Sequence, residues 1–397
     1  MSLQSGVGVS DEADAHIAGI RASSAAIATL SEAPQLLFVF TSVTYDQKRV
    51  LEGVRTIAPQ AHIVGASTAG EIATGGPVKH HSVVVMAIHS DTLTVHSGHK
   101  TGLKADSYNT GVDVAEDIKK NLVGDARLCM VFPDGLSGNG SDVIRGMQQV
   151  LGYTFPIVGG SAGDDAMYKQ TYQYHNTDIF SDTLVALGLG GQFSFATGLK
   201  HGWMPISQPT KVTKAEGAVL YEIDGKPALE FYKKYIGDEA ATILSNNILS
   251  GVALEYPLGF KYKESGEYLL RAPFVVNKDG SIICGGEVPT GAEVQLMIGG
   301  KDEAVRAARS AAQSALDELG TKPRAALIFD CHTRNKLFGA DAKLEIDAIQ
   351  EVIGREVPLA GFYTYAEHAP LHNTSSNTEE RSSVVHNETV VIVLLGD

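Results

Sequence analysis

The sequence predicts an α/β protein of two domains, built from repeated βαββ-like units with mixed sheets. Two observations carry this. Short continuous apolar runs of strand length alternate with longer amphipathic stretches of helical period. The same order of elements occurs three times along the chain, and an internal repeat sets the architecture before any motif is read. With 397 residues, the chain also exceeds what one ordinary hydrophobic core supports.

Taken in order, Ser10 or Asp11 caps a helix through "DEADAHIAGIRASSAAIATL", acidic in its first turn and closed by Pro34. Residues 1–30 are read as this N-terminal helix. "LLFVF" (36–40) is a buried-type strand, and "YDQKRVLEGVRTIAP" (45–59) a helix with Val50, Val54 and Ile57 on one face. "HIVGAS" (62–67) is a strand running into a loop, and "SVVVMAI" (82–88) a further strand. The order returns as "LCMVF" (128–132), "SDVIRGMQQVLG" (141–152), "PIVGGS" (156–161) and "DTLVALGL" (182–189). It returns again as "AALIF" (325–329), "AKLEIDAIQEVIG" (342–354), "PLAGF" (358–362) and "TVVIVLL" (389–395).

The middle differs. "GWMPISQPTKVTKAEG" (202–217) has two prolines and few apolar residues, so 201–217 is read as a linker or extended crossover. "AVLYEIDGKPALEFYKKYIG" follows as a strand, an Asp224–Gly225 turn and a helix begun by Pro227. "KDEAVRAARSAAQSALDELG" (301–320) is an Ala-rich helix stopped by Gly320 and packed internally. The expected domains are therefore 31–200 and 218–397.

Aligning the copies brings three loops into register: "GASTAGE" from Gly65, "GGSAGDD" from Gly159 and "GFYTYAE" from Gly361. Each opens with glycine at a strand end, where a missing Cβ permits a close backbone approach. Each has an acid six residues on: Glu71, Asp165 and Glu367. Ser67 and Ser161 share the third position, which Tyr363 takes in the last copy. Gly159, Ser161 and Gly163 also spell G-x-S-x-G, the elbow of serine hydrolases. An elbow serine runs directly into a helix, whereas this loop runs into "YKQTYQYHN" (168–176), which alternates like a strand. Ser161 is accordingly read as a loop-lining residue and not as a nucleophile. Hydrolase chemistry is the competing reading, with sequence order permitting Ser161, then Asp330 or Glu367, then His386.

Composition narrows the function. A net charge of −14 argues against nucleic acid, whose phosphates need clustered Lys and Arg. No run approaches bilayer length, and no secretory signal opens the chain, so a cytoplasmic protein is expected. Cys129, Cys284 and Cys331 are scattered, without C-x-x-C, and no histidine pair has the spacing of a helical metal site. Neither a metal site nor a catalytic set is assigned.

"FPDGLSGNGSDVIRGM", "TFPIVGGSAGDD", "TGLKHGWMPI" and the closing "GFYTYAE" together resemble the FIST sensory family, with its paired N- and C-terminal domains, over roughly residues 30–395. The resemblance implies a FIST N-like domain at 31–200, a FIST C-like domain at 218–397 and a small-ligand input module for signal transduction. The implied ligand is an amino-acid-like metabolite, or haem with nitric oxide. The module would act in trans on a partner such as a histidine kinase or cyclic-dinucleotide enzyme. The sequence departs from the pattern at "YAEH", where the family more usually has glycine before the glutamate. It departs again at 371–387, a polar insertion before the last strand.

Candidate ligand-binding residues follow from the loops. "PDGLSGNG" (133–140) offers Asp134, Ser137 and Asn139 before a helix whose N–H groups suit an anion or carboxylate. "DCHTRN" (330–335) offers Asp330 at a strand end. The aligned loops add Ser67, Glu71, Gly160, Ser161, Asp164, Asp165, Tyr363 and Glu367. Candidate haem ligands are His175 and His201, beside family-like blocks, and His332 beside Asp330.

Overall fold

The computed structural model describes residues 3–78, 81–237, 256–261, 267–371 and 382–397. It is an α/β structure with mixed sheets, and three units of one design form its body. The first unit runs from an opening strand, Gln4–Ser10, through helix Ala15–Ile27 to a second strand, Leu36–Thr41, and helix Gln47–Ile57. A third strand, His62–Ser67, and a closing strand, Val83–His89, complete it. The second unit repeats this with strand Leu93–Thr101, helix Ser107–Asn121, strand Ala126–Pro133, helix Gly140–Leu151, strand Ile157–Gly160 and strand Thr183–Gly191. The third has strand Ser194–Lys200, helix Lys301–Leu319, strand Pro323–Cys331, helix Lys343–Ile353, strand Leu359–Thr364 and strand Val390–Gly396.

In every unit the closing strand lies antiparallel between the opening and second strands, and the second and third strands run parallel. The helices pack on the outer faces, over separate apolar clusters. The inner faces of all three sheets share one core, where Phe40, Phe132, Phe329 and Phe362 meet with neighbouring ring centroids 4.9–6.2 Å apart.

The units are also interlocked by exchange. After each glycine loop a short strand leaves its own unit and pairs with the third strand of another. Glu71–Ala73 joins the third unit, Gln173–His175 the first and Glu367–Pro370 the second. The loops bond to one another where they cross: Gly163 N–H to Ser67 O (2.9 Å), Ala69 N–H to Tyr363 O (2.9 Å) and Ser161 N–H to Ala366 O (2.9 Å). At Gly65, Gly159 and Gly361 an added Cβ would lie 1.9, 2.0 and 2.0 Å from the carbonyl oxygens of Val39, Val131 and Ile328. The same close approach to the parallel neighbour is thus required three times.

This register corrects the acid alignment. Gly160 faces Glu367, Phe362 faces Glu71, and Ala66 faces Gln173. Gln173, not Asp165, is therefore the counterpart of Glu71 and Glu367. The middle loop is longer, and Asp165 sits in it with a left-handed φ of 52°.

Three other segments differ from the sequence reading. The stretch read as an N-terminal helix begins with a strand, and its helix is capped by Asp14, whose Oδ1 accepts from Ile17 N–H at 3.0 Å. That strand was hidden by Gly6 and Gly8, which let it pack on helix backbone: a Cβ at Gly8 would lie 2.0 Å from Ala22 O. Residues 201–217, expected as linker or crossover, include strand Thr210–Glu216. That strand belongs to a sheet, of nine strands among the described residues, inserted between the opening strand and first helix of the third unit, with its own core. Of the polar insertion at 371–387, residues 372–381 lie outside the described residues, and Ser383–His386 form a strand beside Glu367–Pro370.

Candidate functional site

A cavity of about 470 Å³ opens between the second unit, the third unit and the inserted sheet. Its polar wall is the loop 133–141, which leaves strand Ala126–Pro133 and enters helix Gly140–Leu151. Asp134 shapes that loop, accepting from Leu136 N–H (2.8 Å) and Asp182 N–H (2.7 Å). Asn139 caps the helix, its Oδ1 accepting from Ser141 N–H at 2.9 Å. Gly140 and Ser141, in the first turn of the helix, border the cavity at the positive end of its dipole. Across from them the inserted sheet contributes Ala272, Phe274 and Cys284–Glu287.

Glu287 joins the two walls. Its carboxylate takes a two-pronged contact from Arg145, at 2.6 and 2.7 Å, and a longer one from Asn139 Nδ2 at 3.3 Å. The Arg145 guanidinium holds the Glu287 carboxyl below the ordinary range. At the mouth Tyr168 and Tyr365 stack with ring centroids 4.9 Å apart.

The third side holds Cys331, His332 and Thr333. His332 is buried, neither ring nitrogen makes a hydrogen bond of good geometry, and burial pulls its pKa down to about 4. Behind it Thr333 donates to Glu388, and burial raises that carboxyl to about 8. Ser161 lies on the floor, its Oγ 3.0 Å from Nε2 of His368. Burial lowers His368 to about 4.

Of the residues singled out from sequence, Asp134, Ser137, Asn139, Ser161 and His332 line this cavity. The others do not. Ser67 is consumed by backbone, donating to Gly163 O (2.7 Å) and accepting from Tyr172 N–H (2.8 Å). Glu71 accepts from Thr68 Oγ1 (2.6 Å) and Ser82, and burial raises it to about 7. Asp164 gathers the N–H groups of Tyr168, Lys169 and Gln170, and Asp165 accepts from Ser42 Oγ at 2.7 Å. Gly160 and Tyr363 are buried strand residues. Asp330 is shut in a buried group with Arg334 and Glu345. Glu367 is fully buried, where it accepts from Thr389 N–H at 3.2 Å. His175 bonds to Ser97 at 3.0 Å, and His201 Nδ1 accepts from Trp203 N–H at 2.9 Å.

His368, Tyr168, Tyr365, Phe274 and Glu287 were missed. A signal existed for two of them: Tyr365 and His368 flank the "YAEH" departure from the family pattern.

Models of the FIST N domain and the FIST C domain match residues 35–226 and 228–370. The chain belongs to the FIST family. FIST domains are small-ligand sensory domains of signal transduction, and in this FIST protein residues of both domain matches line the cavity described above. An uncharacterised protein of Mycobacterium tuberculosis is 25% identical over 390 residues, covering 94% of this chain and 96% of that one. An uncharacterised protein of Methanocaldococcus jannaschii is 27% identical over 218 residues, and the match spans 53% of this chain and 42% of that protein. Among solved structures, a cyanuric acid hydrolase from A. caulinodans superposes with TM-score 0.39 at 10% identity, over 99% of this chain and 98% of that one. A chorismatase superposes with TM-score 0.35 at 8% identity, over 100% and 99%. Among the described residues of this FIST protein no helix is long and apolar enough to cross a membrane, and no group of three or more His, Cys, Asp or Glu is placed to hold a metal.

Proposed function

We propose that this FIST protein is a cytoplasmic sensor that takes an amino-acid-like metabolite into the cavity between its second and third units. Occupancy would be relayed in trans to a signalling partner, a histidine kinase or a cyclic-dinucleotide enzyme. The observation that carries the reading is the cavity itself. About 470 Å³ lies within the range of small-molecule pockets, which pair apolar walls with a few convergent polar groups. The helix N-terminus at Gly140 suits a carboxylate. Glu287 and Asn139 suit an amino group, and Phe274 with Leu103 and Val143 suits an apolar side chain. The Glu287–Arg145 contact lets occupancy bear on how the inserted sheet meets the second unit.

Haem with nitric oxide is the other ligand class. Of its candidate ligands His332 borders the cavity, whereas His175, bonded to Ser97, and His201, bonded to the Trp203 N–H, lie away from it. The proposal takes the metabolite. Native mass spectrometry of the purified protein, with a visible absorption spectrum, tests it. The reading expects one small metabolite per chain, released on unfolding, and no Soret band. A Soret band with haem mass would replace it, and a chain of bare mass across fresh preparations would count against it.

A further inference from the structure

Ser161 and His368 come from positions 207 residues apart and meet because the strand Glu367–Pro370 crosses to the second unit, where His368 lies opposite Gly159. In the other two exchanged strands the residues at this register are Ile72 and Tyr174. At this register only the second glycine loop faces an imidazole. His386, the base that sequence order allowed, is occupied elsewhere, its Nε2 bonded to Ala369 O at 3.1 Å.

We propose that Ser161 and His368 form a nucleophile–base pair that opens on the cavity and accepts the acyl group of a small activated ester. A serine hydroxyl becomes a useful nucleophile when a neighbouring base can take its proton, and hydrogen-bond reach is the first geometric requirement. The 3.0 Å contact meets it, and Ser161 borders the cavity in which an ester would sit. Gly140 opens the helix whose first turn borders the same cavity. Its lack of a Cβ matters, because one would lie 3.3 Å from His368 Cε1. A developing oxyanion would thus form near the positive end of this helix, whose Ser141 N–H is already held by Asn139 Oδ1. This activity goes beyond the sensory reading and stands whichever metabolite the cavity holds.

In the acylation step Ser161 Oγ bonds to the ester carbonyl carbon while its proton passes to His368 Nε2. The carbonyl–oxygen bond to the leaving group then breaks, and the departing alkoxide takes that proton from His368 as an alcohol. Water completes the cycle: its proton goes to Nε2, its oxygen bonds to the acyl carbon, and Ser161 leaves reprotonated with the acid as product. No carboxylate meets His368 Nδ1, which has no hydrogen-bond partner. The imidazolium is therefore poorly supported, so acylation is slow and the acyl-enzyme persists.

The test is intact-mass analysis of the protein incubated with a small fluorophosphonate, followed by peptide mapping. One adduct on Ser161 is the expected result, absent in Ser161→Ala. His368→Gln, which keeps a polar partner but removes the base, should label about 10²–10⁴-fold more slowly, the usual worth of general-base help. Circular dichroism checks that both variants fold, and the labelling site in the wild type tests the idea without any variant. No adduct on the wild type, an adduct on Ser67 or another residue, or equal labelling rates in wild type and His368→Gln would each overturn it.

Discussion

Ser67 and Ser161 occupy the same place in two copies of one glycine loop, yet the molecule uses them differently. The Ser67 hydroxyl is spent on backbone, between Gly163 O and Tyr172 N–H, and lies outside the cavity that Ser161 borders. The Ser161 hydroxyl meets an imidazole and faces a cavity. What separates them lies outside the loops. One receives a strand carrying Tyr174, the other a strand carrying His368, and only the second is roofed by the inserted sheet. Repetition built the frame, and the exchanged strand and the insertion made one of its sites chemical.

The largest expected effect falls on what the two loops share. Gly65→Ala and Gly159→Ala both drive a methyl group into a carbonyl oxygen of the neighbouring strand, so each should lose more than ~4 kcal/mol, the range of severe core defects. Soluble expression and urea unfolding check this. Equal losses support the repeat, and a tolerated alanine at either glycine would break the equivalence on which the comparison rests.

Next comes pH. Burial raises Glu388, behind the cavity, to about 8, well above the ordinary glutamate value, despite the opposing bond from Thr333. The folded state keeps this proton to higher pH than the unfolded chain does, so its contribution is full below about pH 4.5 and is lost as pH rises through 8. The buried histidines His332, His368 and His386 act in the opposite sense, but only below their ordinary 6.5. Between pH 7 and 8.5 the wild type should therefore lose stability, and Glu388→Gln should lose less. Urea midpoints across that window measure the difference, and parallel slopes would refute the buried-carboxyl account.

Smaller still is the cost of removing each serine. Ser67→Ala strands the Tyr172 N–H, a defect worth ~1–3 kcal/mol. Ser161→Ala removes no bond to backbone from its side chain and should cost less. Reversed costs would mean that Ser161, and not Ser67, holds the loops together.

Much of this was legible in the sequence. The second, third and closing strands of all three units are continuous apolar runs because both faces of each sheet are covered, and the glycine loops announced the repeat. Opening strands Gln4–Ser10 and Leu93–Thr101 were not legible, since glycine, serine and histidine interrupt their apolar pattern. Asp165 was misplaced because a fixed offset ignores loop length, whereas Gln173 is set by register. The pairing of Ser161 with His368 was out of reach for a different reason: strand exchange between units leaves no local trace. The cavity was only half visible, since its polar loop could be read while the inserted sheet that roofs it looked like a linker and a separate domain.

Thermal unfolding with a panel of amino acids and small carboxylates tests the central claim most directly, in the wild type, Ser137→Trp and Asp165→Ala. Ser137 lines the cavity between the second and third units, and Asp165 bonds to the loop of the first unit. A ligand at a hundred times its Kd should stabilise the wild type by about 2.7 kcal/mol, a rise of a few degrees in Tm. The account predicts that Asp165→Ala keeps this rise and Ser137→Trp loses it. A rise kept by Ser137→Trp and lost by Asp165→Ala, or no rise with any compound, would contradict it.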